Sequence, residues 1–195
     1  MLGLTLSLAA KNASAQMFWL GFSGGYQYSW FKSPNINNEV LGEGGGWNLG
    51  FFLKYGKRPF YQVGFRWMRA QNTITDSYDT EQTIVGDVPF HEFAVPVKVG
   101  YTLIDKPMFK WNVNAGASIG TVFLFDSNIF DFDREDMTNP QFAVIGGTGI
   151  QFMNFIVDVD YSYHLTDMFK ADEIEFGENF GSHLQVIAVK VGMVF

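Results

Sequence analysis

The sequence predicts an all-β protein: an eight-stranded antiparallel up-and-down transmembrane β-barrel with four long extracellular loops and three short periplasmic turns. Three observations support this prediction. Eight segments alternate large apolar residues with small or polar ones at a period of two, which is the period of a strand with two different faces. The links between them are alternately short and long, so an up-and-down array places all long loops at one end. Aromatic residues, 17% of the chain, concentrate near both ends of the segments.

The composition excludes several other classes of protein. The chain has 195 residues, of which only 17% are charged, and its net charge is −7. After the N-terminus no run reaches the roughly 18–20 apolar residues that a spanning helix needs, so a helical membrane protein is not expected. The absence of cysteine excludes disulfides and zinc–thiolate sites. The excess of acidic residues argues against a nucleic-acid partner.

The N-terminal residues have the pattern of an export signal. Residues 1–10 are almost all apolar, and Ala13-Ser14-Ala15 has the small-x-small pattern that a signal peptidase recognises. We therefore expect a signal peptide at 1–15, whose missing basic region suggests a start further upstream. An outer-membrane β-barrel domain is expected at 16–195. An ordinary N-terminal strand or helix is the alternative.

Each predicted strand carries one row of large apolar residues, opposite a row of small or polar ones. The first residues of the eight apolar rows are, in chain order, Phe18, Trp47, Tyr61, Phe93, Phe109, Phe142, Phe155 and Ile187. Tight turns with Gly, Pro and Asn are predicted at 56–59, 104–108 and 153–154. Long connections are predicted at roughly 32–46, 71–90, 126–140 and 167–182.

The polar rows indicate which face of the sheet meets lipid. They are rich in Gly, Ser, Asn and Ala and carry few charges, whereas a strand face in water usually carries many Lys and Glu. Small residues suit the narrow interior of an eight-stranded barrel. We therefore expect the apolar rows to face lipid, with an aromatic girdle at each interface. A soluble lipocalin-like barrel, which would place the apolar rows inside, is the alternative.

Several segments resemble known outer-membrane sequences. The last strand, with Val189, Val191, Met193 and Phe195 in phase, looks like the C-terminal signature that the barrel-assembly machinery recognises. Residues 91–101, HEFAVPVKVGY, resemble a strand of the PorT-like outer-membrane β-barrel family, and residues 48–52 with 60–65 resemble its early hairpin. This resemblance implies an integral outer-membrane location and a role as accessory subunit of a membrane or secretion complex.

Charged residues on the polar rows are the first candidate site. They are Lys54, Arg66, Glu92, Lys98, Asp158, Asp160, His164 and Lys190. Asp160 and Lys190 lie at similar heights on neighbouring antiparallel strands, so they are expected to pair. Unpaired charge is costly in a narrow lumen, so we expect the set to form a polar network that plugs the barrel. A gated ion path or proton relay is the alternative.

The second candidate site is a catalytic group on one face of the seventh segment, formed by Ser162, His164 and Asp160. Residues i and i+2 of a strand are about 7 Å apart, too far for a direct bond between a nucleophile and its base. His91 and His183, near the loop end, could contribute. We expect no enzymatic activity and no cofactor. A lipid acyltransferase or deacylase and a narrow solute channel are the alternatives.

The long connections are acidic, with 16 of the 20 Asp and Glu residues. Asp131, Asp133 and Glu135 are a weak calcium candidate, because they alternate in one loop but lack the glycine of an EF-hand. The acidic charge favours divalent cations, including those that bridge lipopolysaccharide phosphates. Apolar residues such as Met168 and Phe169 predict a packed loop cap or a protein partner. The expected partners are outer-membrane lipid, lipopolysaccharide, the barrel-assembly machinery and subunits of a complex.

Overall fold

A computed structural model describes residues 18–32, 40–76, 84–125, 137–168 and 183–195. These residues form eight strands. They are β1 (Phe18–Lys32), β2 (Val40–Gly56), β3 (Phe60–Asp76), β4 (Ile84–Lys106), β5 (Phe109–Phe125), β6 (Gln141–Phe152), β7 (Phe155–Asp167) and β8 (His183–Val194). Within these ranges there is no helix with the length and apolarity needed to cross a membrane.

The strands form a closed antiparallel barrel in chain order. Each strand pairs with the next, and β8 returns to pair with β1 over Gly21↔Val194 to Lys32↔His183. Phe195 continues this closure, because its backbone exchanges hydrogen bonds with that of Leu20 at 2.8 and 3.2 Å. The predicted fold class and strand order are therefore confirmed.

The apolar rows lie on the outside of the barrel, as predicted. Phe51 is 66% exposed and Val97 is 55% exposed, whereas Ser162, on the inner face of β7, is 2% exposed. On β7 exposed and buried residues alternate almost without interruption. A soluble barrel would have the opposite arrangement, so this surface is one that lipid covers.

Two predicted connections are wrong, because β2, β3 and β4 extend well past the predicted girdle. The strands include three stretches that were predicted as parts of long loops, namely 40–46, 71–76 and 84–90. Only 33–39 and 77–83 are left between these strands. The glycines at 44 and 46 belong to β2, where a Cβ on Gly44 would lie 1.7 Å from the Gln71 carbonyl oxygen. These glycines therefore permit a close approach of two strands, where their composition had indicated a loop. The second turn is also shorter than predicted, at 107–108.

The interior has two apolar clusters that the sequence analysis did not expect. At the loop end ten buried side chains pack together: Phe31, Met68, Ala70, Val88, Phe90, Val122, Met137, Met168, Leu184 and Val186. At the turn end Phe52, Ile156 and Val194 pack with the partly buried Trp19. Small and polar residues thus dominate the middle of the lumen, and apolar side chains fill its two ends. At the loop end this apolar interior stabilises the extended strands by burial, as in a soluble protein.

Candidate functional site

The charged residues of the middle lumen come from four strands. Arg66 lies on β3, Glu92 and Lys98 on β4, Asp160 on β7 and Lys190 on β8. Each occupies a position whose neighbours in the chain face lipid, so strand alternation directs its side chain inward. β4 and β7 are not neighbours in the barrel, so contacts between them cross the lumen.

Asp160 is the centre of the first charged group. One of its carboxylate oxygens, Oδ2, accepts hydrogen bonds from Lys98 Nζ and Lys190 Nζ, each at 2.5 Å. Asp160 and Lys98 are buried, with side chains 8% and 5% exposed, and Lys190 is largely buried at 14%. The predicted pairing of Asp160 with Lys190 is confirmed, and Lys98 adds a bond across the lumen.

Glu92 is the centre of the second group. Its Oε1 lies 3.5 Å from Arg66 on the neighbouring strand, and its Oε2 lies 3.4 Å from His164 Nε2 on the far side of the lumen. Glu92 is 1% exposed and His164 is fully buried. This group also ties opposite walls of the barrel together, because burial makes each such contact costly to lose.

The remaining two predicted network residues lie nearer the turn end. Among the described residues Lys54 and Asp158 form no ion pair within 4.0 Å. Lys54 Nζ instead lies 3.6 Å from the centre of the Phe60 ring. Asp158 and Lys54 line one inner cavity together. The structure thus joins five of the eight predicted residues in ion pairs, places His164 against Glu92, and leaves Lys54 and Asp158 adjacent to them.

Ser162 and His164 do not face each other as a nucleophile and its base. Ser162 Oγ accepts a hydrogen bond from Arg66 at 3.4 Å. His164 Nδ1 donates to the Leu184 carbonyl oxygen at 3.0 Å, which leaves Nε2 directed at Glu92. His91 and His183 point elsewhere: His91 accepts from Trp67 Nε1 at 3.2 Å within the loop-end girdle, and His183 lies 3.9 Å from Asp167.

Above the charged groups lies a layer of uncharged polar residues, whose bonding partners the sequence analysis did not identify. Asn48 donates to Gln27 at 3.3 Å, and Ser29 donates to Asn72 at 2.7 Å. All four side chains are buried. Their inward positions follow from strand alternation. Asn48 and Gln27 lie on the neighbouring strands β2 and β1, and Ser29 and Asn72 meet across Gly44, which pairs with both.

The other predicted sites have mixed outcomes. Val189, Val191, Met193 and Phe195 form the outward row at the end of the chain, and Phe195 stacks on Phe22 with ring centres 6.1 Å apart. Met168 is buried in the loop-end cluster, in agreement with a packed cap. The calcium candidates Asp131, Asp133 and Glu135, and Phe169, lie outside the described residues. Within the described residues no three metal-binding side chains come together.

A second recess opens at the turn end of the lumen. It is lined by Trp19, Lys54, Gly56, Lys57, Thr102, Asp105, Lys110, Gln151 and Val194. Lys110 Nζ lies 5.3 Å from the centre of the Trp19 ring. The sequence analysis placed Lys57 in the turn at 56–59 and did not include Lys110 among its candidate residues, so it did not bring the two lysines together. The signal that it passed over is the concentration of lysine around the first two turns.

A closed eight-stranded barrel with an apolar outer face and a filled interior defines a class. This protein is a small integral outer-membrane β-barrel. Its chain belongs to the family described as "Outer membrane protein beta-barrel domain", which matches residues 10–170.

Three solved structures illustrate the shared fold. Ail, the attachment invasion locus protein of Yersinia pestis, is 18% identical, with a TM-score of 0.50 over 92% of this chain and 100% of its own. Neisserial surface protein A is 14% identical, with a TM-score of 0.52 over 92% and 98%. OprG from Pseudomonas aeruginosa is 11% identical, with a TM-score of 0.51 over 91% and 95%. No curated protein sequence matches the chain. These likenesses concern the fold alone.

Proposed function

We propose that this barrel has no enzymatic activity and acts through its surface, as an accessory subunit of a membrane or secretion complex. The resemblance of residues 91–101 to PorT-like barrels implies such a role. One structural observation carries the proposal. The ion pair of Lys98 with Asp160 and the contact of Glu92 with His164 cross the lumen, and apolar side chains fill it at both ends. A lumen filled in this way leaves the outer and loop-end surfaces for interaction.

The arrangement of Ser162 supports the absence of catalysis. A serine nucleophile needs a base within about 3 Å and access for its substrate. Ser162 is 2% exposed and bonded to Arg66, and both nitrogens of His164 are directed at other groups. A lipid acyl chain outside the barrel therefore has no path to this hydroxyl through the described residues.

The same packing argues against a solute channel. Lys98 and Lys190 both bind one carboxylate in the middle of the lumen, and above them Met68 and Phe90 are fully buried. An ion that crosses would have to break buried charge pairs and then pass an apolar layer, and both steps are costly.

The loop end supplies the interaction surface of the proposal. Among the described residues there, Glu43 and Asp87 are exposed acids. Tyr28 donates a hydrogen bond to Glu43. Thr73 and Gln71 donate to Asp87 at 2.7 and 2.8 Å, and these bonds hold the pKa of Asp87 below its usual value. The fixed negative charge favours a partner with basic groups, or the divalent cations that bridge lipopolysaccharide phosphates.

Site-specific photocross-linking in native membranes tests the proposed partner. A photoreactive residue at Asp87 should give a protein adduct that mass spectrometry identifies. The matched position Val97 lies on the same strand but faces lipid, so it should give lipid adducts only. If residue 87 and further exposed loop-end positions all fail to give a protein adduct, the accessory role is refuted.

Two further measurements address the alternatives. Lipid A from cells that carry S162A or H164A should have the mass profile of the wild type, and a shifted profile would establish an enzyme. Planar bilayers with the wild type and with D160A should show no single-channel conductance. Conductance that increases in D160A would establish a gated path through the lumen.

A further inference from the structure

Lys54 belongs to neither charged group of the middle lumen. Arg66 lies against Glu92, and Lys98 and Lys190 share Asp160. Lys54 lies one layer nearer the turn end and has no carboxylate within 4.0 Å among the described residues. Its side chain lines the recess at the turn end, and Asp158 lies in the neighbouring cavity.

Two more lysines meet Lys54 around this recess. Lys57 and Lys110 line it, and neither forms an ion pair within the described part of the chain. Asp105 is the one acidic residue of the lining, and Arg58 lies 3.9 Å from its carboxylate. The recess thus holds three positive charges, while its one carboxylate already has a cation beside it.

The aromatic neighbours hold these ammonium groups in place without neutralising them. Lys54 lies over the Phe60 ring and Lys110 over the Trp19 ring. A cation over an aromatic face is stabilised by the ring quadrupole, but the site keeps its positive charge. Like charges that share one recess repel each other, and an anion placed between them removes that repulsion.

Within the described part of the chain, the recess opens towards the periplasm. The three turns at this end, at 57–59, 107–108 and 153–154, are too short to fold over the opening. Lys57 is exposed, so the lining reaches the surface. In outer-membrane barrels the short turns face the periplasm, so a solute of that compartment meets the recess first.

We propose that this recess is a binding site for a multivalent oxyanion from the periplasm, a phosphate or polycarboxylate held by Lys54, Lys57 and Lys110. Lysine ammonium groups bind such oxygens as point charges from several directions. The Trp19 ring gives the site one flat apolar wall. The site lies opposite the acidic loop end and is independent of any partner there.

Isothermal titration calorimetry of the refolded barrel in a zwitterionic detergent tests this site. Pyrophosphate and citrate are titrated at constant ionic strength, with chloride as the reference anion. At least one of the two should bind saturably with one site per barrel. K54Q and K110Q should each weaken that binding by about tenfold, because each removes one charge-assisted contact.

Lys106 provides the matched control. It belongs to the same turn region and is exposed, but it does not line the recess, so K106Q should bind as the wild type does. Tryptophan fluorescence and heat-dependent gel mobility verify that each variant is folded. Three results would overturn the proposal: no saturable binding of either anion, equal losses in K106Q and K110Q, or binding that K54Q and K110Q leave unchanged.

Discussion

Removal of the Asp160 carboxylate provides the sharpest test of the lumen network. Its Oδ2 atom accepts from both Lys98 and Lys190 at 2.5 Å, and these three side chains are 5–14% exposed. The substitution D160A leaves two ammonium groups in a confined space without their shared counter-ion. Loss of one partner of a buried ion pair costs about 3–5 kcal/mol, so we expect D160A to lose that much free energy of unfolding.

Equilibrium urea unfolding in lipid vesicles, followed by tryptophan fluorescence, measures this loss by linear extrapolation. D105A is the control, because Asp105 and Arg58 are 3.9 Å apart and 35% and 41% exposed. An exposed pair contributes about 0–1 kcal/mol, so D105A should remain within that range of the wild type.

A triple variant separates unpaired charge from lost packing. In D160L/K98M/K190M no charge of the Asp160 group is left alone, and replacement of a buried ion group by apolar residues is often neutral or stabilising. We expect this variant to recover most of the stability that D160A loses. If D160A unfolds within about 1 kcal/mol of the wild type, the buried pairs do not stabilise the barrel and the reasoning is refuted.

Three further predictions concern other parts of the barrel. A115R places a charge in lipid near the middle of β5 and should lower the free energy of unfolding by about 2–4 kcal/mol. N114R, one residue earlier, places the charge in the cavity that Asp158 also lines, so its loss in the same unfolding assay should be clearly smaller. F90A removes a fully buried ring from the loop-end cluster and should cost about 3–5 kcal/mol; a loss below about 1 kcal/mol would mean that the cluster is not packed. T73V removes a hydrogen bond to the Asp87 carboxylate, so its pKa, measured by NMR titration, should rise towards the usual value. The lowered pKa of Asp87 stabilises the folded state at any pH above the pKa of this group in the unfolded chain. The stability difference between wild type and T73V should therefore disappear as the pH falls through the pKa of Asp87 in the folded state. An unchanged pKa of Asp87 in T73V would contradict this reasoning.

The lipid-facing surface could be predicted from the sequence because it depends on one simple property. Strand side chains alternate, so the row that includes Phe51 and Val97 must share one face, and few charges on the opposite row identify that face as the lumen. Neighbouring strands also follow from an up-and-down order. The pairing of Asp160 with Lys190 could therefore be predicted from their heights on β7 and β8.

Contacts across the lumen could not be predicted in this way. Lys98 reaches Asp160 from a strand that is not its neighbour, and Glu92 reaches His164 likewise. Such contacts depend on the barrel diameter and on side-chain length, which alternation does not encode. The loop-end cluster was missed for another reason: Val88 and Phe90 lie in the segment 71–90, which was predicted as a loop, and their burial becomes evident only when β4 is extended.

Among the described residues, the hairpin of β3 and β4 extends further at the loop end than β5 does, and this affects the outer edge of β4. Beyond the pair Phe90↔Phe125, the part of β4 at 84–89 pairs with β3 alone among the described residues. A free strand edge invites addition of a foreign strand, which leads to aggregation at a crowded cell surface. Pro89 has no backbone N–H to offer there, and Asp87 adds a charge that an incoming apolar strand would have to bury. This edge of β4 is thus protected against unwanted β-sheet extension by two of its own residues.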